Sequence, residues 1–167
     1  MLPVTIVSNA IHFGIAGSGK GFTMVDFFDT DRLEFQEYMD FLKRCDLGSQ
    51  YPKQNFENRI RTLIKNVYIC ITARNQNALL IGICFGITDC AYFLFLTDLG
   101  VDREYVGQGI GKKLLSLAHQ KTGGEDDITI TTISSENAIG FYESCGMRSK
   151  KELVVKYCTE WEEFVVT

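Results

Sequence analysis

The sequence predicts a single α/β domain of the α+β type, built on a mixed, mostly antiparallel sheet. Three observations lead there. Between Val67 and Val101, three strand-like runs succeed one another with only short polar turns between them, as in a meander. The last run feeds a glycine-rich turn, Val106-Gly-Gln-Gly-Ile-Gly111, and then an amphipathic segment. Ahead of them, residues 31 to 66 carry apolar side chains at spacings of three and four, the period of a helix with one buried face. A chain of 167 residues is long enough for one well-buried core and short for two. Residues 1–167 therefore read as one domain, with 1–21 an N-terminal extension to which no role is assigned.

In chain order, Val4 to Val7 fits a short strand, and Gly14, Gly17, Gly19 and Gly21 interrupt the pattern after it. Gly14-Ile-Ala-Gly-Ser-Gly19-Lys20 resembles a P-loop, but Gly21 stands where that motif needs a hydroxyl for magnesium, and no amphipathic helix comes after it. Phe22 to Phe28 reads as a strand. Asp31 and Glu34 have the spacing of an N-cap with a carboxylate reaching back. Phe35, Tyr38, Met39, Leu42 and Cys45 then mark a helix ending before Gly48. Tyr51-Pro52 opens a linker, and Phe56, Ile60, Leu63 and Ile64 mark a second helix, with Asn55 as its cap.

Val67 to Ala73 is rich in β-branched residues, and Arg74 to Asn77 supplies a turn. Leu79 to Thr88 is apolar almost throughout, as expected of a strand buried on both faces. Asp89 marks a tight turn, and Ala91 to Val101 is another buried strand. In the helix after the glycine turn, Ile110, Leu114, Leu117 and Ala118 share one side, with Lys112, Lys113, Ser116 and Gln120 on the other. A polar loop, Thr122 to Asp127, leads to a strand at Ile128 to Ile133. Asn137 to Ser144 fits a short helix closed by Cys145-Gly146, and Leu153 to Tyr157 and Phe164 to Val166 are the last strand candidates.

Composition narrows the function classes. A hydrophobic content of 46% with 23% charged residues is ordinary for a soluble globular domain. A net charge of -4 argues against nucleic acid as a partner, which would demand a basic face. No run approaches the roughly 18 apolar residues of a membrane-spanning helix, and the N-terminal stretch has no Lys or Arg before Lys20, so it is a poor signal peptide. The six cysteines form no C-x-x-C pair, and Cys70 and Cys84 fall inside apolar runs. The expectation is a reduced, cytoplasmic protein with no disulfide framework and no metal site.

Strand, glycine turn and helix together are the local design for holding phosphates. N–H groups converge at a helix N-terminus, where the macrodipole favours negative charge. Glycines let a bulky anion approach the backbone without meeting a Cβ. Lys112 and Lys113 oppose the dipole in the first turn, a placement that makes sense with an anion between them. The alternative is a glycine-rich loop that merely turns the chain.

This turn resembles the R/Q-x-x-G-x-G/A acetyl-CoA loop of the GCN5-related N-acetyltransferase (GNAT) family. Asn137-Ala-Ile-Gly-Phe-Tyr142-Glu-Ser-Cys-Gly146-Met resembles that family's N-x-x-A-x-x-F-Y-x-x-x-G-F signature. With the helix-helix-strand-strand-strand layout before them, the resemblance covers roughly residues 22–157. It implies a central sheet of six or seven strands flanked by about four helices, with acetyl-CoA as acyl donor and an amine as acceptor. Homodimers are frequent in the family. Val106 departs from the pattern, because a side-chain contact to the pyrophosphate is lost there; N–H groups from Gly107 to Lys112 (Gln108, Gly109, Ile110 and Gly111 between them) remain to bind it. Gly140 also departs, weakening helix propensity by about 1 kcal/mol relative to Ala.

By the same resemblance, two strands splay at a bulge and the pantetheine pairs with the exposed edge, here Asp98-Leu99-Gly100-Val101. Leu99 and Val101 would offer the pairing groups, and the Leu99 N–H would stabilise the developing oxyanion. Tyr142 is the candidate acid for the departing thiolate, since a phenol stays protonated at neutral pH; the alternative is a core aromatic beside Phe141. Asn137 would position the cofactor or simply cap a helix. Asp98 is a candidate base, directly or through water, and Tyr92 a weaker one. His119 reads as solvated surface, and His12 has no role. Glu160, Glu162 and Glu163 would attract a cationic amine or form a solvated face. The activity implied is direct acetyl transfer from acetyl-CoA to a primary amine of a small molecule or protein. The alternative is a non-catalytic acyl-CoA sensor or interaction module with the same fold.

Overall fold

The computed structural model describes residues 11–16, 22–150, 154, 166 and 167. Among the described residues, six strands form one sheet whose spatial order matches the sequence: β1 (Ile11–Ala16), β2 (Phe22–Phe28), β3 (Ile69–Asn75), β4 (Leu80–Thr88), β5 (Phe93–Val101) and β6 (Thr129–Thr132). Neighbours pair antiparallel except β5 and β6, which pair parallel. Four α-helices accompany them: α1 (Phe35–Arg44), α2 (Phe56–Asn66), α3 (Ile110–Thr122) and α4 (Ile139–Ser144). The parallel pair needs a crossover, and α3 supplies it. No described helix is long and apolar enough to cross a membrane.

The described sheet has six strands, but they are not the six that the sequence offered. Five of the expected strands are present as β2–β6, and the sixth in the sheet is β1, which the sequence did not announce. Its residues Gly14 to Ala16 pair with β2, so part of the P-loop-like run is strand, and another strand comes where that motif needs a helix. The strand expected at Val4–Val7, all of that expected at Leu153–Tyr157 except Val154, and Phe164 and Val165 lie outside the described residues. So do Glu160, Glu162, Glu163 and Cys158.

Two cores sandwich the sheet. On one face α3 packs Ile110, Leu114, Leu115, Leu117 and Ala118 against Val25, Ile71, Ile81, Cys84, Leu94 and Leu96. On the other, α1 and α2 pack Tyr38, Phe41, Leu42 and Ile60 against Cys70, Ile83 and Phe85. Strand β4 is buried at its first seven positions because it lies between both layers.

Local signals at helix ends were partly misleading. Asp31 does not cap α1, whose N-cap is Glu34 without a side-chain hydrogen bond. Instead the Asp31 carboxylate accepts from Thr72 Oγ1 and Arg74 Nε, both at 2.8 Å. A partner some forty residues away won over the capping role. Asn55 does occupy the N-cap of α2, and Asp89 makes the expected turn: Oδ1 accepts N–H groups from Ala91, Tyr92 and Phe93. His119 is half-buried rather than solvated, with Nε2 2.7 Å from the Ile128 carbonyl oxygen, tying α3 to the start of β6.

Candidate active site

The site grows from one extra residue. Phe85 and Gly86 of β4 are consecutive, yet they oppose Asp98 and Leu96 of β5, so Thr97 is an inserted residue. A bulge of this kind shifts the side-chain alternation by one. Before it, Leu94 and Leu96 point into the α3-side core; beyond it, Leu99 and Val101 do. Asp98 and Gly100 are thereby turned toward α1. Without the bulge, Asp98 would share the apolar face of Leu96.

The parallel pairing of β5 with β6 ends at Leu96–Thr132, immediately before the bulge. From Thr97 onward, β5 has a described partner only in β4, and the two strands fork. The ladder decides which backbone groups face the fork. The Asp102 N–H bonds the Ile81 carbonyl at 2.8 Å. In an antiparallel pair, hydrogen-bonded and non-bonded pairs alternate. In the register Ile81–Asp102, Ile83–Gly100, Phe85–Asp98, residues 98, 100 and 102 thus direct their backbone groups at β4. Leu99 and Val101 direct theirs away from it, into the fork.

Below the fork, Asp98 is 7% exposed, and Tyr51 Oη donates to its Oδ1. Tyr51 comes from the linker between α1 and α2, and its Oη lies 2.9 Å from that of the fully buried Tyr38. The neighbouring Thr97 hydroxyl also favours the ionised Asp98 carboxylate. Burial pushes the Asp98 carboxyl above its ordinary range, and the Tyr51 and Thr97 hydroxyls pull it partly back. At Gly100, a Cβ would stand 2.5 Å from Leu47 Cδ1, so only a residue without one lets the linker close over the strand.

At the mouth of the fork the chain turns sharply. Asp102, 3% exposed, accepts an ion-paired hydrogen bond from Arg44 Nη1, and its Oδ1 receives the Glu104 N–H at 3.0 Å. Gly107 and Gly109 both have φ of +82°, and no atom lies within 4 Å of the position of a Cβ on either. Gly109 is the N-cap of α3, and the first N–H groups of a helix have no acceptor within it. This leaves an open, donor-lined cradle that an anion fits. Val106 is 64% exposed at its edge. Lys112 is exposed on the first turn of α3.

Tyr142 packs against the α3-side core, across the sheet from Asp98. Its phenol is influenced by Thr132, whose Oγ1 donates to the Leu96 carbonyl at 3.1 Å, where the strands part. Burial raises its phenol above the usual value. Tyr92 is 70% exposed in the β4–β5 turn, so it is not a core ring. Asn137 is exposed and does not cap a helix, since Ser135 and Ala138 hold the N-cap positions of the two short helical turns, which leaves cofactor contact as the role to be tested.

Residues 66–148 match the family model of the acetyltransferase (GNAT) domain. The chain belongs to the GNAT family. It is 26% identical over 123 residues to the Glycine max protein "Probable acetyltransferase TAP2", covering 68% of this chain and 48% of that one. It is 24% identical over 120 residues to N-acetyltransferase ycf52 of Gracilaria tenuistipitata var. liui, covering 68% and 65%. This GNAT chain thus spans about half of one of these curated relatives and just under two thirds of the other. Among solved structures, a GNAT family acetyltransferase of Streptococcus pneumoniae TIGR4 superposes with a TM-score of 0.61 at 16% identity, over 81% of this chain and all of that one, a likeness of fold.

Sequence reasoning missed Thr97, Tyr38, Tyr51 and the Arg44–Asp102 pair. Their only sequence signals are generic: a threonine in a strand, two tyrosines at apolar positions, an arginine in a last helical turn. What joins them to the fork is tertiary.

Proposed function

We propose that this chain is an acetyl-CoA-dependent N-acetyltransferase that moves an acetyl group directly to a primary amine. The observation that carries the reading is the fork: backbone groups of Leu99 and Val101, without a partner strand among the described residues, lie between a buried carboxylate and an anion-ready glycine cradle. Acetyl-CoA supplies an activated thioester when bound. Gly107 to Lys112 hold its phosphates through backbone N–H groups. Leu99 and Val101 pair with the amide arm as a strand would, and the Leu99 N–H faces the oxygen on which charge develops. Asp98 takes the proton that the amine must lose. As the C–N bond forms and the C–S bond breaks, Tyr142 gives its proton to the sulfur, and solvent later resets both groups.

Direct transfer accords with the cysteines. Cys84, which lies close enough to Asp98 to be influenced by it, is fully buried, and burial holds its thiol far above the normal range; it stays protonated and is a poor nucleophile. The acceptor approaches from the α1–α2 side, where Tyr51, Asn55, Asn58 and Arg59 line a cleft of about 420 Å³. All five described cysteines are free, which fits a reducing compartment such as the cytoplasm.

The test is a thermal melt with acetyl-CoA, CoA and magnesium-ATP in separate wells, followed by mass-spectrometric detection of acetylated product over a panel of amines. A shift with acetyl-CoA and a product carrying one added acetyl group are expected. No shift at millimolar acetyl-CoA would overturn the reading. A shift without any product would point to a binding module.

A further inference from the structure

Asp98 does not sit alone beneath the fork. Its Oδ1 accepts from Tyr51 Oη, and Tyr51 and Tyr38 lie hydroxyl to hydroxyl at 2.9 Å. A phenol has one proton to give. Since Tyr51 spends its own on Asp98, the second bond runs the other way, from Tyr38 to the Tyr51 oxygen. The order Tyr38 → Tyr51 → Asp98 is therefore fixed while Asp98 is ionised, and each donated bond polarises the next. Tyr38 has no freedom to choose otherwise: it is fully buried, with its ring 5.5 Å from that of Phe85, the residue opposite Asp98 across the β4–β5 ladder.

We propose that Tyr51, backed by Tyr38, is a positioning residue for Asp98, aiming its carboxylate at the fork and keeping it ready to accept a proton. The proposal rests on the functional reading above and adds to it two residues from outside the sheet. It also gives the α1–α2 linker a task. Tyr51 is followed by Pro52, which restricts the backbone before it and so helps fix where the hydroxyl stands. Through this one side chain, the segment facing the acceptor cleft is wired to the group that must deprotonate the acceptor.

The surroundings make this hydrogen bond count. The groups on the Asp98 side of the sheet are Tyr38 from α1, Tyr51 from the linker and its own neighbour Thr97, while Cys84 from β4 and Tyr142 from α4 lie on the opposite face within electrostatic range. None of these is a cation. With burial working against ionisation and no positive charge among them, donated hydroxyl bonds are what favour the ionised form.

The test uses Tyr51→Phe and Tyr38→Phe in the full chain, each removing one oxygen and keeping the ring. Carbon-13 NMR of aspartate-labelled protein tracks the Asp98 carboxyl, identified by the resonance that vanishes in Asp98→Asn. In Tyr51→Phe the Asp98 midpoint should move to higher pH; in Tyr38→Phe it should move the same way by less. Acetyl transfer by Tyr51→Phe at pH 6 should fall about tenfold or more, the acid limb of kcat/KM moving up with the NMR midpoint and the KM for acetyl-CoA unchanged. A merely structural tyrosine would lower the melting temperature and move neither limb nor midpoint. An unchanged midpoint in folded Tyr51→Phe overturns the proposal, and if that variant does not fold, an unchanged midpoint in Tyr38→Phe does so. A midpoint that moves in a protein whose wild type transfers no acetyl group would support the coupling and overturn the functional reading instead.

Discussion

Replacing Gly109 by alanine isolates what the glycine cradle is for. Gly109 has φ of +82° and ψ of 0°, and nothing lies within 4 Å of the added Cβ. In the free protein the substitution thus carries only the conformational penalty of a left-handed L-residue, about 1–2 kcal/mol. At about 2–4 °C per kcal/mol for a chain of this size, the melting temperature should drop by roughly 2–8 °C. Bound phosphates change the balance, because the methyl group would occupy the space they need against the N–H groups of α3. Wild-type protein in acetyl-CoA at 100 times Kd gains about 2.7 kcal/mol, a shift of roughly 5–11 °C. If the methyl group weakens binding a hundredfold, the same concentration gives about 0.4 kcal/mol, or about 1 °C. Gly124→Ala is the matched control. Its φ is +94° and its Cβ also meets nothing within 4 Å, but it lies beyond the other end of α3. Both variants should lose similar stability without ligand, and only Gly109→Ala should lose the ligand shift. Equal acetyl-CoA shifts in the two would refute the cradle.

Three further outcomes are expected. Asp98→Asn should lower the transfer rate by about 10²–10⁴. It should also raise the melting temperature at pH 8, with the gain fading in acid. Burial raises the folded-state pKa of Asp98, so its contribution to stability is present below the unfolded pKa and lost as pH rises through the folded one; melts across pH read the sign directly. Tyr142→Phe should keep the acetyl-CoA-induced thermal shift and lose transfer rate, which kinetics and melts on one preparation separate. Arg44→Met should destabilise by about 3 kcal/mol, because Asp102 would be left buried without its cation; urea denaturation with an unchanged slope would confirm a loss of stability alone.

Much of this protein is legible in short-range pattern. Glycines at 107 and 109, the amphipathic Ile110–Thr122 segment and the β-branched runs before them announce strand, turn and helix, because backbone freedom and side-chain period act over a few residues. Gly146, with φ of +86°, closes α4 for the same local reason. Other features depend on who meets whom. Asp31 has a capping spacing, yet Arg74 and Thr72 claim it, since a half-buried cation and a buried hydroxyl offer more than a frayed helix end. Thr97 looks like any strand threonine; only pairing with β4 shows it to be the inserted residue that turns Asp98 toward α1. Tyr51 and Asp98 are 47 residues apart, and no local period links them. The elements and the anion-ready turn are therefore written in the chain itself, where local stereochemistry sets the outcome. The fork, the buried carboxylate and its two tyrosines are not, because a bulge and a buried hydrogen bond exist only once distant strands and helices have packed.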